Sequence, residues 1–394
     1  MPRAPEAPPP TLPRGRAPAG TPLYVHLPFC AAKCHYCDFF SVAAEGHDRR
    51  PTVAALLAEA ERWAPREPRT VFFGGGTPSL LESAELRALF DGLERVTGFR
   101  GAACEVTVEC NPESLDEAKA ATLLELGATR LSIGFQALDD AALKLFGRVH
   151  DAAQAFEAYR AARRAGAREI NIDLIYAWPG QDLAAWRADL DRVLDLGPDH
   201  ISAYNLTFEE DTAFRRWLED GALSKPDEEL ELAFFEATRS RLAERGYGAY
   251  EVSNFALSGL HARHNVNYWQ NGPYLGLGPS AVSKIGTARG GNVKSVGDYV
   301  RRIREQGDAR VWEEAPDALA RLRETWWLGL RLAEGLSAAE ARARAGFDLP
   351  EDPLQPIAER LADDGLLERR GVRFALSPRG LPLADWVARK FLEG

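Results

Sequence analysis

From residue 21 onward, short runs rich in β-branched and aromatic residues alternate with longer stretches whose apolar positions recur at helical spacing. The strand-like runs are 23–27 (LYVHL), 70–73 (TVFF), 105–109 (EVTVE), 130–133 (RLSI), 169–175 (EINIDLI) and 200–206 (HISAYNL). Helical spacing covers 52–63, 83–96, 115–126, 152–165 and 183–196, and a further helix, about 227–244, follows the sixth strand. Six strand-then-helix units predict an α/β fold with a parallel sheet and helices outside it, either open or curved into a partial barrel. Periodicity does not choose between them. Four of the strands stop at Gly74-Gly75-Gly76, Asn111-Pro112, Gly134 and just before Pro179-Gly180. Glycine and polar residues therefore collect where strands end, the edge that carries active sites in parallel α/β folds.

After Gly248 the rhythm breaks, and residues 251–315 read as a connecting region dense in Gly, Asn, Tyr and Trp, with a helix near 298–306. The last part, 316–394, reads as a smaller C-terminal domain: a helix over 316–332, two more helices (the second at 353–364), a hairpin at 367–376 and a closing helix at 382–392. That order suggests a winged-helix-like unit. Such units often contact DNA, but 48 Lys and Arg against 58 Asp and Glu leave this chain at −10, and the unit has no basic recognition stripe. No nucleic-acid partner is expected.

Residues 1–20 are rich in Pro, Ala and Arg and lack the apolar core of a secretory signal, so they are read as a disordered leader ahead of a main domain over 21–250. No apolar run is long enough to span a bilayer. A soluble, cytoplasmic protein is expected, with peripheral membrane contact left open.

The five cysteines are an odd number in a long chain, which argues for a reducing compartment rather than a disulfide framework. Three of them form Cys30-Ala-Ala-Lys-Cys34-His-Tyr-Cys37, with the spacing C-x3-C-x2-C. Thiolates this close on one loop can each hold one iron of a [4Fe–4S] cubane. The fourth iron then has no protein ligand in the motif, and the amino and carboxylate groups of a methionine moiety could fill that position. The alternative is a zinc site with His26 or His35 as fourth ligand, but the second knuckle usual in zinc sites is missing. Cys104 and Cys110 have no metal spacing and are read as small buried hydrophobes.

Cys30–Cys37 with Tyr36 before the last cysteine, followed by Gly74-Gly75-Gly76-Thr77-Pro78, resembles the radical S-adenosylmethionine superfamily. The resemblance runs from about residue 22 to the C-terminus. It is strongest to the group that contains oxygen-independent coproporphyrinogen III oxidase and the HemW-type haem chaperones. It implies a partial (β/α)6 TIM-like barrel, a [4Fe–4S] cluster on Cys30, Cys34 and Cys37, and S-adenosylmethionine as cofactor. By the same resemblance Gly75, Gly76 and Thr77 contact the methionine moiety, Glu109 binds the ligand, and Tyr24 and Tyr36 line its pocket, Tyr36 beside the adenine. Gln136, Arg148 and Asp173 match positions that bind a second S-adenosylmethionine in the oxidase; they could equally shape a single pocket. Asp173 stands among apolar strand residues, which is costly for a carboxylate without partners.

Two departures separate the chain from the oxidase. That loop carries a fourth cysteine two places after the third, where this chain has Phe39, and Cys37-Asp38-Phe39 is the usual continuation among the chaperones. Only 29 residues precede Cys30, too few for the oxidase's structured N-terminal stretch. His264-Asn265-Val266-Asn267-Tyr268-Trp269 matches the H-N-x-x-Y-W motif of the HemW type, whose histidine is implicated in haem binding; a structural hydrogen-bond network is its alternative role. Gly276–Ala281 resembles the loop that closes the cofactor pocket. The resemblance thus implies a haem chaperone that delivers haem, as cargo, to client haemoproteins of the respiratory chain. The alternative is a coproporphyrinogen III oxidase.

Overall fold

The computed structural model describes residues 11–393. Residues 1–10, half of the expected leader, lie outside the described residues. The six anticipated strands all form: β1 (Leu23–Leu27), β2 (Thr70–Gly75), β3 (Glu105–Cys110), β4 (Arg130–Gln136), β5 (Glu169–Tyr176) and β6 (His200–Asn205). The main helices between and after them are α1 (Arg50–Trp63), α2 (Ser83–Thr97), α3 (Glu117–Glu125), α4 (Asp140–Phe146), α5 (Ala152–Arg164), α6 (Leu183–Leu194), α7 (Ala213–Glu219) and α8 (Glu228–Glu244). Asp116, Asp139, Asp151, Asp182 and Asp227 cap α3, α4, α5, α6 and α8 through their carboxylates. Each such cap contributes about 1 kcal/mol by satisfying amide groups that the first helical turn leaves free.

Three short strands extend the sheet beyond the anticipated six: β7 (Gly248–Ala249), β8 (Asn254–Ala256) and β9 (Leu275–Leu277), with α9 (Arg263–Trp269) between the last two. The strand order is β9-β1-β2-β3-β4-β5-β6-β8-β7, parallel from β9 to β6 and antiparallel where β8 meets β6 and β7. β9 and β7 are its edges, so among the described residues the sheet does not close on itself. Alternation sends one set of strand side chains outward: Leu23, Val25, Leu27, Val71, Phe73, Val106, Val108, Leu131 and Ile133 are all buried in one core with residues of the surrounding helices. The other set faces inward and is largely polar, including Glu105, Glu109, Arg130, Ser132, Asn171, Asp173, His200 and Ser202.

The stretch 251–315, read above as a connecting region, is built into the same body. Besides β8 and β9 it supplies an antiparallel sheet of β10 (Val282–Ile285), β11 (Ala288–Asn292) and β12 (Arg310–Glu314), and helix α10 (Val296–Gln306). Ile285, Ala288, Tyr299 and Ile303 belong to the main core. Buried Glu59 of α1 accepts hydrogen bonds from Gly278 N (2.8 Å), Asn292 Nδ2 (2.7 Å) and the Tyr299 hydroxyl (2.7 Å), pinning this region to the first helix.

The C-terminal unit has its own core around Leu322, Trp326, Leu336, Val387 and Phe391. It comprises α11 (Ala318–Gly329), β13 (Leu336–Ser337), α12 (Ala338–Ala345), α13 (Gln355–Asp363), the hairpin β14 (Leu367–Arg370) and β15 (Arg373–Leu376), and α14 (Ala384–Glu393). β15 pairs between β13 and β14, so a third short strand joins the anticipated hairpin. No helix of the described residues is long and apolar enough to cross a membrane.

The expectation of disorder fails for residues 11–20. Leu12 is 2% exposed and Ala17 6%, both within the main core. Ala17 N donates to Trp63 O (2.9 Å), Gly20 N to Arg66 O (3.0 Å), and Arg14 pairs with Asp308 (3.0 Å). Proline-rich composition removed helix and strand signals, but two small apolar anchors suffice to strap the segment across α1 and the β10–β12 sheet. Leu12→Ala is expected to destabilise the fold by about 2–5 kcal/mol, the usual range for a buried leucine. A denaturation midpoint equal to wild type would show that the strap is not part of the core.

Candidate functional site

The cysteine loop leaves the C-terminal end of β1, where Phe29–Cys30 pairs in parallel with Val42–Ala43. The glycine turn leaves the neighbouring end of β2 and is clamped to it: Gly76 N donates to Leu27 O (2.8 Å) and Thr77 N to Phe29 O (2.7 Å). A Cβ on Gly76 would lie 2.6 Å from both of those carbonyl oxygens, and one on Gly75, which sits at φ +101°, would lie 2.4 Å from the His26 ring. Only glycine permits this approach. The turn thus fits against the cysteine loop itself, a reason for its glycines additional to room for a ligand.

Cys30, Cys34 and Cys37 are partly exposed free thiols. Burial raises Cys30 and pushes Cys37 up to about 11, so these two thiols resist ionisation in the bare loop. Two side chains donate to the sulfurs. The Thr77 hydroxyl donates to Cys30 Sγ (3.7 Å), and Arg148 Nη1 donates to Cys34 Sγ (3.4 Å). Three thiols on one loop, with a hydroxyl and a guanidinium directed at their sulfurs, suit thiolates ligating iron. Of the two imidazoles of the zinc alternative, that of His26 has both ring nitrogens engaged. His26 Nε2 faces Phe40 O (2.9 Å) and must carry its proton, so Nδ1 accepts from the Tyr24 hydroxyl (2.9 Å). His35 Nδ1 meets Leu145 O (2.8 Å), and its ring packs edge-on against Trp217.

Beside the cysteines the inward face carries two recessed carboxylates. Glu109, at the end of β3, accepts from Gly75 N (3.0 Å); burial pushes its carboxyl up to about 8, the Asp173 charge adds to this, and the Gly75 bond opposes it. Asp173 accepts from Ser132 Oγ (2.9 Å) and Asn171 Nδ2 (2.8 Å), which supply the partners its strand position demands. Burial nonetheless raises it. A cation entering here would favour the ionised form of both, so the pair suits a ligand ammonium. Gln136 closes β4 at φ +66°, where the register with β5 shifts after Gly134. Arg148 Nη2 donates to Gly134 O (3.2 Å), which brings Arg148 under the β4 end as well as to the cysteine loop. Tyr24 sits on β1 beside Phe72. Tyr36 packs edge-on against Phe146 and Phe214, anchoring the cysteine loop on an apolar cluster with α4 and α7.

His264 is elsewhere. It is 1% exposed, its Nδ1 meets Thr70 Oγ1 (2.8 Å) at the start of β2, and its Nε2 meets the Tyr268 hydroxyl (3.0 Å). Arg263 N and His264 N both donate to Glu105 at the start of β3 (2.6 and 3.1 Å). The H-N-x-x-Y-W helix α9 therefore sits at the opposite ends of the strands from the cysteines. Burial pushes the imidazole down to about 3, and with both ring nitrogens occupied it offers no lone pair to an iron. In this structure His264 holds the hydrogen-bond network that is its alternative role: polar strand starts need partners in the interior, and the motif supplies them. Cys110 is buried as expected, whereas Cys104, on the loop before β3, is exposed.

One residue at the centre of the site went unassigned. Asn111 donates through Nδ2 to Thr77 Oγ1 (2.8 Å) and accepts at Oδ1 from Arg148 Nη2 (2.6 Å). In the sequence it reads only as a strand stop before Pro112.

A parallel sheet with a three-cysteine loop and a glycine turn at the carboxyl ends of its first two strands defines the class, and residues 24–193 match the radical SAM superfamily. Residues 317–383 match the HemN C-terminal domain. The chain is 34% identical over 375 residues to heme chaperone HemW of Bacillus subtilis, covering 94% of this chain and 98% of that one. It is 35% identical over 377 residues to heme chaperone HemW of Mycobacterium tuberculosis, covering 94% of each. Among solved structures, coproporphyrinogen III oxidase (HemN) from Escherichia coli superposes with a TM-score of 0.81 at 26% identity, over 96% of this chain and 90% of that one. The chain belongs to the HemW family of radical SAM proteins.

Glu109 yields a pH prediction for the cluster-free protein. Its folded carboxyl binds a proton more tightly than the unfolded chain does, so stability falls as pH rises from about 4.5, the ordinary value, through about 8. Glu109→Gln removes this term. The melting temperature of wild type should drop, relative to that of the variant, between pH 5 and pH 8; parallel curves would show that the carboxyl is not perturbed.

Proposed function

We propose that this chain is a haem chaperone that carries a [4Fe–4S] cluster on Cys30, Cys34 and Cys37, binds S-adenosylmethionine beside it, and passes haem to haemoproteins, including those of the respiratory chain, in the cytoplasm. The observation that carries the reading is the match to the heme chaperone of B. subtilis over 98% of that protein's length. When bound, such a cluster supplies an electron-transfer centre with one iron free of protein ligands. The chain's own residues supply the rest. Thr77 and Arg148 stabilise thiolates at Cys30 and Cys34. Glu109 and Asp173 form an anionic recess for the methionine ammonium, while Tyr24, Tyr36, Gly75, Gly76, Gln136 and Arg148 complete the cofactor pocket in this reading.

The likeness to the E. coli coproporphyrinogen III oxidase favours a second reading, an oxidative decarboxylase of a porphyrinogen. Phe39 weighs against it: a phenylalanine, 66% exposed, stands where that enzyme's loop carries its fourth cysteine. Anaerobically reconstituted protein given coproporphyrinogen III, S-adenosylmethionine and a reductant is expected to form no protoporphyrinogen, yet to bind haem and release it to an apo-haemoprotein. Turnover would establish the oxidase instead.

His264 gives an independent check. Replacing it by alanine deletes two buried hydrogen bonds and leaves Thr70 and Tyr268 with lost partners, so a loss of about 2–4 kcal/mol is expected. The Soret band and haem affinity of the folded variant should match wild type. A changed Soret band would return His264 to the haem site.

A further inference from the structure

The polar groups that touch the cysteine sulfurs are not independent. Thr77 reaches Cys30 from the β2 end, and Arg148 reaches Cys34 from the segment after α4, 71 residues further along the chain. Asn111 lies between them and bonds to both. We infer that Asn111 is a positioning residue that aims the Thr77 hydroxyl and the Arg148 guanidinium at the two cluster thiolates. The inference rests on the cluster being held by the cysteine loop.

The chemistry specifies an amide at this position. Arg148 has only donors, so Asn111 must present its carbonyl oxygen to it. Thr77 has a single O–H; for that proton to point at Cys30, the group on its other side must donate, and the Asn111 Nδ2 does so at 2.8 Å. A carboxylate would accept from Arg148 but would also attract the Thr77 proton away from sulfur. An apolar side chain would orient neither group. The Asn111 backbone is held separately: its N–H donates to Ser79 Oγ (3.3 Å), its carbonyl accepts from Ser114 Oγ (3.1 Å), and the two serine hydroxyls meet at 2.6 Å. Side-chain substitution therefore leaves the main-chain anchor of this turn in place.

Hydrogen bonds to cluster sulfurs raise a cluster's reduction potential, because they stabilise the added negative charge of the reduced form. Asn111→Ala is expected to hold a cluster whose midpoint lies at more negative potential than wild type, with altered g-values in the electron paramagnetic resonance spectrum of the reduced state. Asn111→Asp, close to the natural shape, should shift the midpoint in the same direction. In a Thr77→Val background, Asn111→Ala should add a smaller shift than it produces alone, since part of its effect passes through that hydroxyl. Potentiometric titration of the anaerobically reconstituted proteins reads all of these. Midpoints and spectra equal to wild type, or fully additive shifts, would overturn the inference, as would failure of both single variants to fold without the cluster. A wild type that takes up no cluster would remove the cofactor assignment first, whereas a loaded wild type with unmoved variants removes only the role of Asn111.

Discussion

Two backbone hydrogen bonds, from Gly76 to Leu27 and from Thr77 to Phe29, hold the cysteine loop against the glycine turn, and the arrangement of the site depends on them. They require the turn to approach the end of β1 so closely that a Cβ on Gly76 would lie 2.6 Å from two carbonyl oxygens. The clamp sets Thr77 beside Cys30 and brings the Gly75 amide to Glu109. From there the contacts pass to Asn111 and Arg148 and return to Cys34. Loops leaving three successive strands, together with the segment after α4, thus form one connected unit around the sulfurs.

The interior of the sheet is polar at both ends, for different reasons. At the strand starts Glu105, Arg130, Asn171, His200, Tyr250 and His264 pair among themselves and with backbone groups, leaving little capacity for a ligand. At the strand ends Glu109, which accepts from the Gly75 amide, lies near Asp173, and burial raises both. A network satisfied at most of its groups, Arg130 Nε excepted, stabilises and closes one end of the fold. A pair of carboxylates raised by burial at the other end is the electrostatic character expected of a binding site.

The C-terminal unit has a separate core, yet it joins the main body through Ala333 N to Tyr250 O (2.9 Å) and Asn271 Nδ2 to Thr325 Oγ1 (2.9 Å), with Arg331 over the Trp269 ring. These contacts gather at the segment containing α9. The H-N-x-x-Y-W residues therefore link the start of the sheet, its interior and the C-terminal unit, which accounts structurally for an aromatic and polar motif there.

The strands, the main helices and the cysteine loop were legible in the sequence because each rests on local information: side-chain periodicity, strand-ending glycines and short cysteine spacing. Phe39 after the third cysteine pointed to the family on equally local grounds. What stayed illegible depends on partners distant in the chain. The burial of Leu12 needs α1 and the β10–β12 sheet, and β9 joins β1 across about 250 residues of sequence. Asn111 looked like punctuation because the residues it bridges, Thr77 and Arg148, lie 34 positions before it and 37 after. His264 looked like a metal ligand because an imidazole beside aromatic residues has the chemistry of one. Only the packing of α9 against β2 and β3 decided that both its nitrogens were already taken. The sequence by itself determined which cofactor chemistry the loop can support, since that follows from side chains within eight residues; the tertiary structure alone decided which polar groups surround that loop and which are spent holding the fold together.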